Sequence, residues 1–254
     1  MIEINDLGKR YEANWGMRHL NLRVKPGELM ACIGPNGAGK TTTIKMLTGL
    51  LRPTEGWAKI KGIDIQLDPI RAKRNIGYIP DRPYLYEKLS GRDFMKFVAD
   101  LFEVDKPRLD AAVEKYFEMF NLTHAVDQLI ENYSHGMRQK LIFAATWMHD
   151  PEVLIIDEPL VGLDPRSIRL VKNMFREAVK EGKSIFLSTH TLSVAEELAD
   201  RIAVVHNGTM IFLGTLSELR AQQKGGSGNL EDLFLQITQE ETETSDEARV
   251  IDVI

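Results

Sequence analysis

Short apolar runs alternate along the chain with amphipathic stretches of helical period. Five of these runs have the composition of strands buried on both faces, and they lie at 28–33, 76–79, 153–156, 184–188 and 201–206. Strands that alternate with helices favour a largely parallel sheet covered by helices. The pattern therefore predicts an α/β fold.

Four further apolar runs read as strands outside this alternation, at 2–7, 17–24, 56–60 and 209–213. Two turn sequences adjoin them, KPGE at 25–28 and HNGT at 206–209. Turns of this composition commonly join antiparallel strands. We therefore expect antiparallel hairpins, and with them an antiparallel β subdomain beside the main sheet.

The residues from 86 to 150 instead show the hydrophobic periodicity of helices. Three segments, 91–102, 106–122 and 136–149, are amphipathic, and almost no strand pattern separates them. In the second segment five apolar side chains recur at helical spacing: Leu109, Val113, Tyr116, Phe117 and Phe120. This periodicity predicts a helical subdomain inserted into the α/β core.

The chain therefore divides into three predicted parts. Residues 1–85 and 151–222 would form the α/β core with its antiparallel β subdomain, and 86–150 the helical subdomain. After a break rich in glycine, residues 223–254 read as a short amphipathic helix and an acidic tail. The composition of the tail is typical of a solvated, partly disordered segment.

One strand-to-helix junction carries a phosphate-binding pattern. It matches G-x-x-x-x-G-K-[ST] and reads Gly34, Pro35, Asn36, Gly37, Ala38, Gly39, Lys40, Thr41. Glycines let the backbone curl so that several N–H groups converge on phosphate oxygens. A helix over about 41–51, with Ile44, Leu47 and Leu51 on one face, would point its positive end at the same anion. A chance glycine-rich turn is the alternative, and the strand and helix that flank the loop count against it.

The residue types in this loop predict their roles. Lys40 would bring a mobile cation to the β- and γ-phosphates of a nucleotide. The Thr41 hydroxyl is suited to Mg²⁺, and Thr42 would bond a further phosphate oxygen. The loop is therefore predicted to bind a nucleoside triphosphate.

A pair of carboxylates follows another buried strand, in VLIIDEP at 153–159. Ligands bind at the carboxyl ends of strands in open α/β sheets, and Asp157 and Glu158 lie at such an end. Asp157 would hold Mg²⁺ through water, and Glu158 would polarise the attacking water as a general base. The alternative for an isolated pair is that both carboxylates merely cap the end of the strand.

His190, which ends the strand at 183–190, would lie at the same sheet edge and hydrogen-bond the γ-phosphate and the water.

Composition excludes several other classes of protein. Cys32, the single cysteine, leaves no disulfide framework and no cysteine-based zinc site, and it reads as a core residue. The net charge is −5 and no block of lysine or arginine occurs, which argues against nucleic acid as the main partner. No run approaches the roughly 18 apolar residues of a membrane span, and the first residues do not read as a signal peptide. We therefore expect a cytoplasmic chain that reaches a membrane only through another chain.

The ordered set of motifs resembles the nucleotide-binding subunit of an ATP-binding cassette (ABC) transporter over about residues 2–220. YSHGM at 133–137 is similar to the family's signature LSGGQ, in the form common among single-domain subunits. GLDP at 162–165 resembles the D-loop, and STH at 188–190 ends in the histidine of the H-loop. In KRY at 9–11, Tyr11 stands where the family stacks an aromatic ring on adenine.

The resemblance implies a P-loop NTPase fold, ATP and Mg²⁺ as cofactors, and ATP hydrolysis. Two subunits, identical or paralogous, would pair head to tail, so that the signature of one closes over ATP bound to the P-loop of the other. The residues acting across the dimer would be Ser134, His135, Gly136 and Met137. A helix that begins near His135 would aim its dipole at the γ-phosphate. Asp164 would link the two sites.

Three residues depart from the family pattern. Asp81 stands where the Q-loop usually carries glutamine, and its shorter side chain would reach Mg²⁺ through a water. His135 replaces a glycine and Met137 a glutamine of the signature. An imidazole near a phosphate would add a pH-dependent contact, but we interpret His135 as a tolerated substitution.

The resemblance also implies a membrane partner. In the family, the segment after the Q-loop and the helical subdomain form a groove for a helix of the membrane subunit, and here that segment is 82–97. Its apolar surface would come from Tyr84, Leu85, Tyr86, Leu89 and Phe94. We expect Phe94 and Leu89 to belong to the subdomain core. For Tyr84 and Tyr86, core and groove remain equally open.

We therefore expect an ATPase subunit at the cytoplasmic face of a membrane that energises transport through a separate membrane-spanning subunit. Export is the favoured direction, because LEDLFLQIT at 230–238 resembles the end of exporter subunits and the short C-terminal segment leaves no room for an importer's regulatory domain. The alternative is a soluble ABC ATPase acting on nucleic acid or ribosomes; the single cassette and the absence of coiled-coil or zinc modules disfavour it. An ATP-binding switch without turnover is disfavoured because Lys40, Asp157, Glu158 and His190 are all present.

Overall fold

The computed structural model describes residues 1–221 and Phe234. The strands are β1 Ile2–Tyr11, β2 Asn14–Val24, β3 Leu29–Ile33, β4 Glu55–Ile60, β5 Ile63–Asp64, β6 Ile76–Ile79, β7 Val153–Asp157, β8 Ser184–Thr189, β9 Arg201–His206 and β10 Thr209–Gly214. The helices are α1 Lys40–Leu47, α2 Pro69–Lys73, α3 Gly91–Leu101, α4 Lys106–Met119, α5 His135–Met148, α6 Pro165–Lys180, α7 Leu192–Leu198 and α8 Leu216–Ala221. Apart from Phe234, the predicted helix and acidic tail after 222 lie outside the described residues.

The main sheet has six strands in the order β10-β9-β3-β8-β7-β6. All neighbours run parallel except β10, which pairs antiparallel with β9. Every residue of β3, β7 and β8 is buried. These strands are continuous apolar runs because both faces of the sheet are covered, one by α1 with strands β1, β2 and β4, and the other by helices. The predicted α/β fold is confirmed.

The second sheet is antiparallel and has the order β2-β1-β4-β5. Its strand β5 was not predicted, because two residues are too short to show a period. The turn HNGT joins β9 to β10 as predicted, with His206 opposite Thr209. The turn KPGE does not make a hairpin, and that prediction is wrong. It carries the chain from β2 in the antiparallel sheet to β3 in the main sheet, where a wholly apolar strand is buried on both faces.

Helix α1 ends earlier than the hydrophobic period indicated. The prediction extended it to about residue 51, but the helix stops at Leu47 and Thr48 is its C-cap. Gly49 follows at φ 65°, a left-handed conformation that glycine adopts without a steric cost and that ends a helix. Ile44 and Leu47 are buried as expected. Leu51 is half-buried beyond the helix end, so the apolar pattern continued past the helix itself.

The helical residues pack against the sheet rather than apart from it. One buried cluster joins Phe117 and Phe143 of the helices to Leu154 of β7 and Leu187 of β8 without a break. Local signals set the helix starts: Ser90 and Asp93 form a capping box for α3, and Asp105 caps α4. The three-part division of the chain stays a prediction. Within the described residues, no helix is long and apolar enough to cross a bilayer.

His149, the C-cap of α5, is a half-buried histidine in this region. Its ring stacks on Phe102 with the ring centres 3.8 Å apart. Burial, with the positive charge of Arg108, lowers the pKa of His149 to about 4. The buried Nδ1 atom has no hydrogen-bond partner in the described part of the chain. The folded protein therefore holds this imidazole neutral.

We expect the pH dependence of stability to report on His149. In the unfolded chain a histidine binds a proton below a pKa of about 6.5, whereas the folded protein resists that proton. Stability is therefore lost as the pH falls from about 6.5 to about 4. His149→Phe keeps the stacked ring and removes the titration, so the variant should gain on the wild type across this range in urea unfolding at several pH values. A constant difference between the two proteins, or an equal gain in the exposed-histidine control His124→Phe, would contradict this.

Candidate nucleotide site

The P-loop leaves β3 and enters α1, and two of its glycines are required by close backbone contacts. A Cβ atom on Gly34 would lie 2.3 Å from the Val205 carbonyl oxygen. A Cβ atom on Gly39 would lie 2.3 Å from the Gly16 carbonyl oxygen, and Gly39 also has φ 109°. Both glycines let neighbouring strands approach the loop. The curled loop is thus built into the fold.

A turn outside the motif braces the loop. The backbone N–H of Gly208, between β9 and β10, donates to the Ala38 carbonyl oxygen at 3.0 Å. The carbonyl oxygen of Gly208 accepts from the Arg18 backbone N–H of β2 at 2.8 Å. One residue of the HNGT turn therefore ties the P-loop to the antiparallel sheet. Sequence reasoning assigned this turn only to a hairpin, because the pairing is visible only in three dimensions.

The loop gathers positive charge around a buried ammonium group. The Lys40 side chain is buried, and its Nζ donates to the carbonyl oxygens of Gly34 at 2.7 Å and Pro35 at 3.1 Å. Helix α1 begins at Lys40, and its first turn contains no acidic residue. The helix N-terminus and the lysine therefore offer an anion two adjoining sources of positive potential.

Asp157 lies where β7 meets this loop. The Thr41 Oγ1 hydroxyl donates to Asp157 Oδ2 at 3.3 Å, so the two predicted metal ligands are neighbours. Burial raises the pKa of Asp157 above its ordinary value, and the charges of Glu158 and Asp81 raise it further. A cation placed among these oxygens would relieve both effects. No cluster of three or more His, Cys, Asp or Glu side chains suited to a metal occurs among the described residues.

Glu158 is held in one orientation by the end of β8. Thr189 Oγ1 donates to Glu158 Oε2 at 3.0 Å. The His190 backbone N–H donates to Oε1 at 2.7 Å, and His190 Nδ1 lies 2.7 Å from the same oxygen. Glu158 itself has φ 46°, an uncommon value for a residue with a side chain. Thr189 was missed by the sequence reasoning, although its place directly before His190 was the available signal.

Tyr11 lies at the end of β1 beside the P-loop helix. Its side chain is 47% exposed. A Cβ atom on Gly16 would lie 2.8 Å from the Tyr11 ring and 3.2 Å from Thr42 Oγ1. Gly16 therefore lets the ring and the threonine come together. An exposed aromatic face next to a phosphate loop is suited to a nucleotide base.

The residues that resemble the signature lie at the start of α5. Ser134 caps α5 by accepting from the Met137 backbone N–H at 3.3 Å, and the helix begins at His135 as predicted. No hydrogen bond within residues 1–221 joins residues 134–137 to the P-loop of the same chain. Asp164 caps α6 by accepting from the Ser167 N–H at 2.9 Å, and it also pairs with Lys140. The bonds from Lys140 and Ser167 hold the pKa of Asp164 well below its usual range.

The fold and this geometry define a P-loop ATPase. The family model described as ABC transporter matches residues 17–161, more than half of the chain. The chain belongs to the ABC transporter family. It is an ATP-binding and ATP-hydrolysing subunit that energises transport.

Individual relatives agree with this assignment. The chain is 32% identical over 241 residues to the ABC-type transporter ATP-binding protein EcsA of Bacillus subtilis, and the alignment covers 95% of this chain and 98% of EcsA. It is 36% identical over 212 residues to the bacitracin transport ATP-binding protein BcrA of Bacillus licheniformis, where the alignment covers 83% of this chain and 68% of BcrA. A solved structure titled as the ATP binding subunit of an ABC transporter superposes with a TM-score of 0.90 at 32% identity, covering 94% of this chain and 99% of that one.

Two P-loop glycines provide a matched test of the close-contact geometry. Gly37 and Gly39 both have positive φ, but a Cβ atom on Gly37 would meet nothing within 4 Å. We expect Gly37→Ala to cost about 1 kcal/mol of unfolding free energy, because only the left-handed conformation is penalised. Gly39→Ala should cost roughly 3 kcal/mol or more, because its methyl group also meets the Gly16 carbonyl oxygen. Equal losses in urea unfolding would contradict the role of that contact.

Proposed function

We propose that the chain binds ATP with Mg²⁺ at the P-loop and hydrolyses it with Glu158 as the general base. The observation that carries this proposal is the fixed orientation of Glu158 by Thr189 and His190, beside a loop rich in positive charge. Lys40 would exchange the carbonyl oxygens of Gly34 and Pro35 for phosphate oxygens. The loop backbone from Gly34 to Gly39 would bind the phosphates, Thr42 a further phosphate oxygen, and Tyr11 the base.

Thr41 and Asp157 are the proposed ligands of Mg²⁺, with Asp81 reaching it through a water. The ion would neutralise charge on the β- and γ-phosphates. Asp81 is exposed, and its charge already acts on Asp157, which supports its place at the edge of this site. His190 would hydrogen-bond the γ-phosphate and keep Glu158 aimed at the attacking water.

We propose that a second cassette, identical or paralogous, completes the site. Within residues 1–221, no hydrogen bond joins the residues around Ser134 to the P-loop of the same chain. An ATP molecule on the P-loop would thus face the solvent until a partner's signature helix covers it. The N-terminus of α5, with the Ser134 hydroxyl and the backbone at His135, Gly136 and Met137, is suited to the γ-phosphate. Asp164 would lie near the interface between the two chains.

A groove between the α/β core and the helical residues is the proposed docking site for a membrane-spanning subunit. It has a volume of about 290 Å³, and Leu50, Phe94, Val98 and Ile142 are among its apolar lining residues. Phe94 belongs to the buried core as expected, while Tyr84 and Tyr86 are 86% and 60% exposed. An apolar groove beside exposed tyrosines is suited to an amphipathic helix. We place the partner on this groove and on residues 82–97, at the cytoplasmic face of the membrane.

This groove also supports the proposed division of the chain. Its walls come from both the core and residues 86–150. A helix bound there would therefore be displaced by any movement between the two parts. Export is the proposed direction of transport. The resemblance of LEDLFLQIT at 230–238 to the end of exporter subunits supports it.

Replacing the general base should separate binding from hydrolysis. We expect Glu158→Gln to bind ATP with unchanged affinity, to hydrolyse it at least about 100-fold more slowly, and to accumulate as an ATP-bound dimer. Phosphate release and analytical ultracentrifugation with ATP measure both effects. Glu118→Gln, an exposed glutamate of α4, is the matched control and should behave like the wild type. Normal turnover in Glu158→Gln would remove Glu158 from its proposed role.

A charge placed in the groove should detach the membrane partner. Leu50 lines the groove and is 62% exposed, so Leu50→Asp should fold normally while opposing an apolar helix. We expect the tagged wild-type chain to retain a polytopic membrane protein from detergent-solubilised native membranes, and the variant to lose it. Leu67→Asp, at an 85% exposed position outside the groove lining, is the matched control. Retention by Leu50→Asp, or recovery of ribosomal or nucleic-acid components alone, would contradict the docking proposal.

A further inference from the structure

We propose that Ser188 is a positioning residue for the metal site, with a buried hydroxyl that serves the Asp157 carboxylate and not the stability of the fold. The proposal rests on the function proposed above. Ser188 lies in β8, between β3 and β7. The strand register places Ser188 beside Cys32 of β3 on one side and beside Asp157 of β7 on the other. The three residues therefore form one row across the sheet, near the carboxyl ends of its parallel strands.

This row lies on the face of the sheet that is covered by the P-loop helix. Side chains alternate between the two faces of a strand, so Ser188 shares its face with Phe186, two residues earlier. Phe186 belongs to the buried cluster that contains Ile44 of α1. Asp157 touches the first turn of the same helix, because its Oδ2 atom accepts from the Thr41 hydroxyl at 3.3 Å. The Ser188 side chain therefore lies on the face that carries the proposed metal ligands.

The Ser188 hydroxyl is buried without a hydrogen-bond partner. The residue is 0% exposed, and its Oγ atom has no partner among the described residues. Burial raises the pKa of Asp157, and the nearby Ser188 hydroxyl works against that rise. The hydroxyl therefore lies near the carboxylate but is not aligned for a hydrogen bond of ordinary geometry. Since an alanine would avoid the cost of burying this group, the hydroxyl points to a role outside folding.

Another serine of β8 shows how a structural hydroxyl behaves in the same strand. Ser184 is also 0% exposed, but its Oγ donates to the Lys25 carbonyl oxygen at 2.7 Å. It is the first residue of β8, at the opposite end of the strand from the P-loop. Removing the Ser184 hydroxyl would break this hydrogen bond, whereas removing the Ser188 hydroxyl breaks none within the described residues. The two serines therefore make a matched pair.

The role that fits this position is support of a metal-binding carboxylate. Carboxylates that bind a metal are themselves hydrogen-bonded by neighbouring groups, which fix their orientation. Asp157 already accepts one bond, from Thr41. A small rotation of the carboxylate or of the Ser188 hydroxyl adds a second bond, and two donors fix the plane of the carboxylate. The Ser188 carbonyl oxygen also accepts from the Glu158 N–H at 3.0 Å, so the backbone of the same residue holds the second acidic residue in place.

The test measures how much Mg²⁺ improves the binding of the non-hydrolysable β,γ-imido analogue of ATP. Isothermal titration calorimetry gives the dissociation constant of the analogue for each full-length protein, once with EDTA and once with excess Mg²⁺. We expect Ser188→Ala to leave the EDTA value unchanged and to lower the gain that Mg²⁺ confers roughly tenfold. Ser188→Thr and Ser188→Val add the same bulk, but only the threonine keeps a hydroxyl. The threonine variant should therefore retain the gain that the valine variant loses.

Urea unfolding without nucleotide separates this role from a structural one. Ser184→Ala should unfold at a lower urea concentration than the wild type, because it loses a buried hydrogen bond, and it should keep the full gain from Mg²⁺. Ser188→Ala should be at least as stable as the wild type, because it breaks no hydrogen bond and removes a buried polar group. The two variants are thus expected to differ in opposite directions in the two measurements.

Three results would overturn the role of Ser188. These are a wild-type gain from Mg²⁺ in Ser188→Ala, a loss of stability in Ser188→Ala as large as that in Ser184→Ala, or equal gains in the threonine and valine variants. Asp157→Asn in the same titration separates the two proposals. If Asp157→Asn keeps the gain, the proposed metal site is wrong. If Asp157→Asn loses the gain and Ser188→Ala keeps it, the metal site stands and only the role of Ser188 is wrong.

Discussion

The positive potential at the N-terminal end of α1, beside the buried ammonium of Lys40, is the constraint around which the rest of the site is arranged. A buried ammonium, a helix N-terminus without an acidic residue and a glycine loop are brought within a few residues of each other. Lys40 Nζ donates to two carbonyl oxygens of its own loop. Those bonds satisfy the ammonium and can be exchanged for bonds to charged oxygens. The loop is therefore preorganised for its ligand.

The carboxylates follow from the same constraint. Asp157 is buried next to Thr41, where its pKa is raised because the negative charge is poorly solvated. Such a position is unfavourable for the free protein and favourable once a cation is bound. Glu158, one residue later, is instead held by three bonds from the neighbouring strand end. Two adjacent acidic residues thus acquire different environments, and different proposed roles, from the direction in which the strand ends.

The helical residues matter because they contact the core next to the site. Helix α5 contacts the segment that follows Glu158 through His135, Gln139 and Lys140. The groove proposed for a membrane-spanning partner lies between those helical residues and the core. The helical part therefore adjoins both that groove and the segment that follows Glu158.

The sequence by itself determined the α/β alternation, the positions of nine strands, the P-loop, the carboxylate pair and the start of α5. These features are local, because period, composition and cap residues depend on near neighbours. The tertiary structure alone decided that KPGE crosses between two sheets and that Gly208 braces the P-loop. It also decided that the ring of His135 covers Gly162 and that Thr189 holds Glu158. Each of these joins residues far apart along the chain, and no local pattern of apolar and polar positions encodes which distant backbone or side chain a residue will meet.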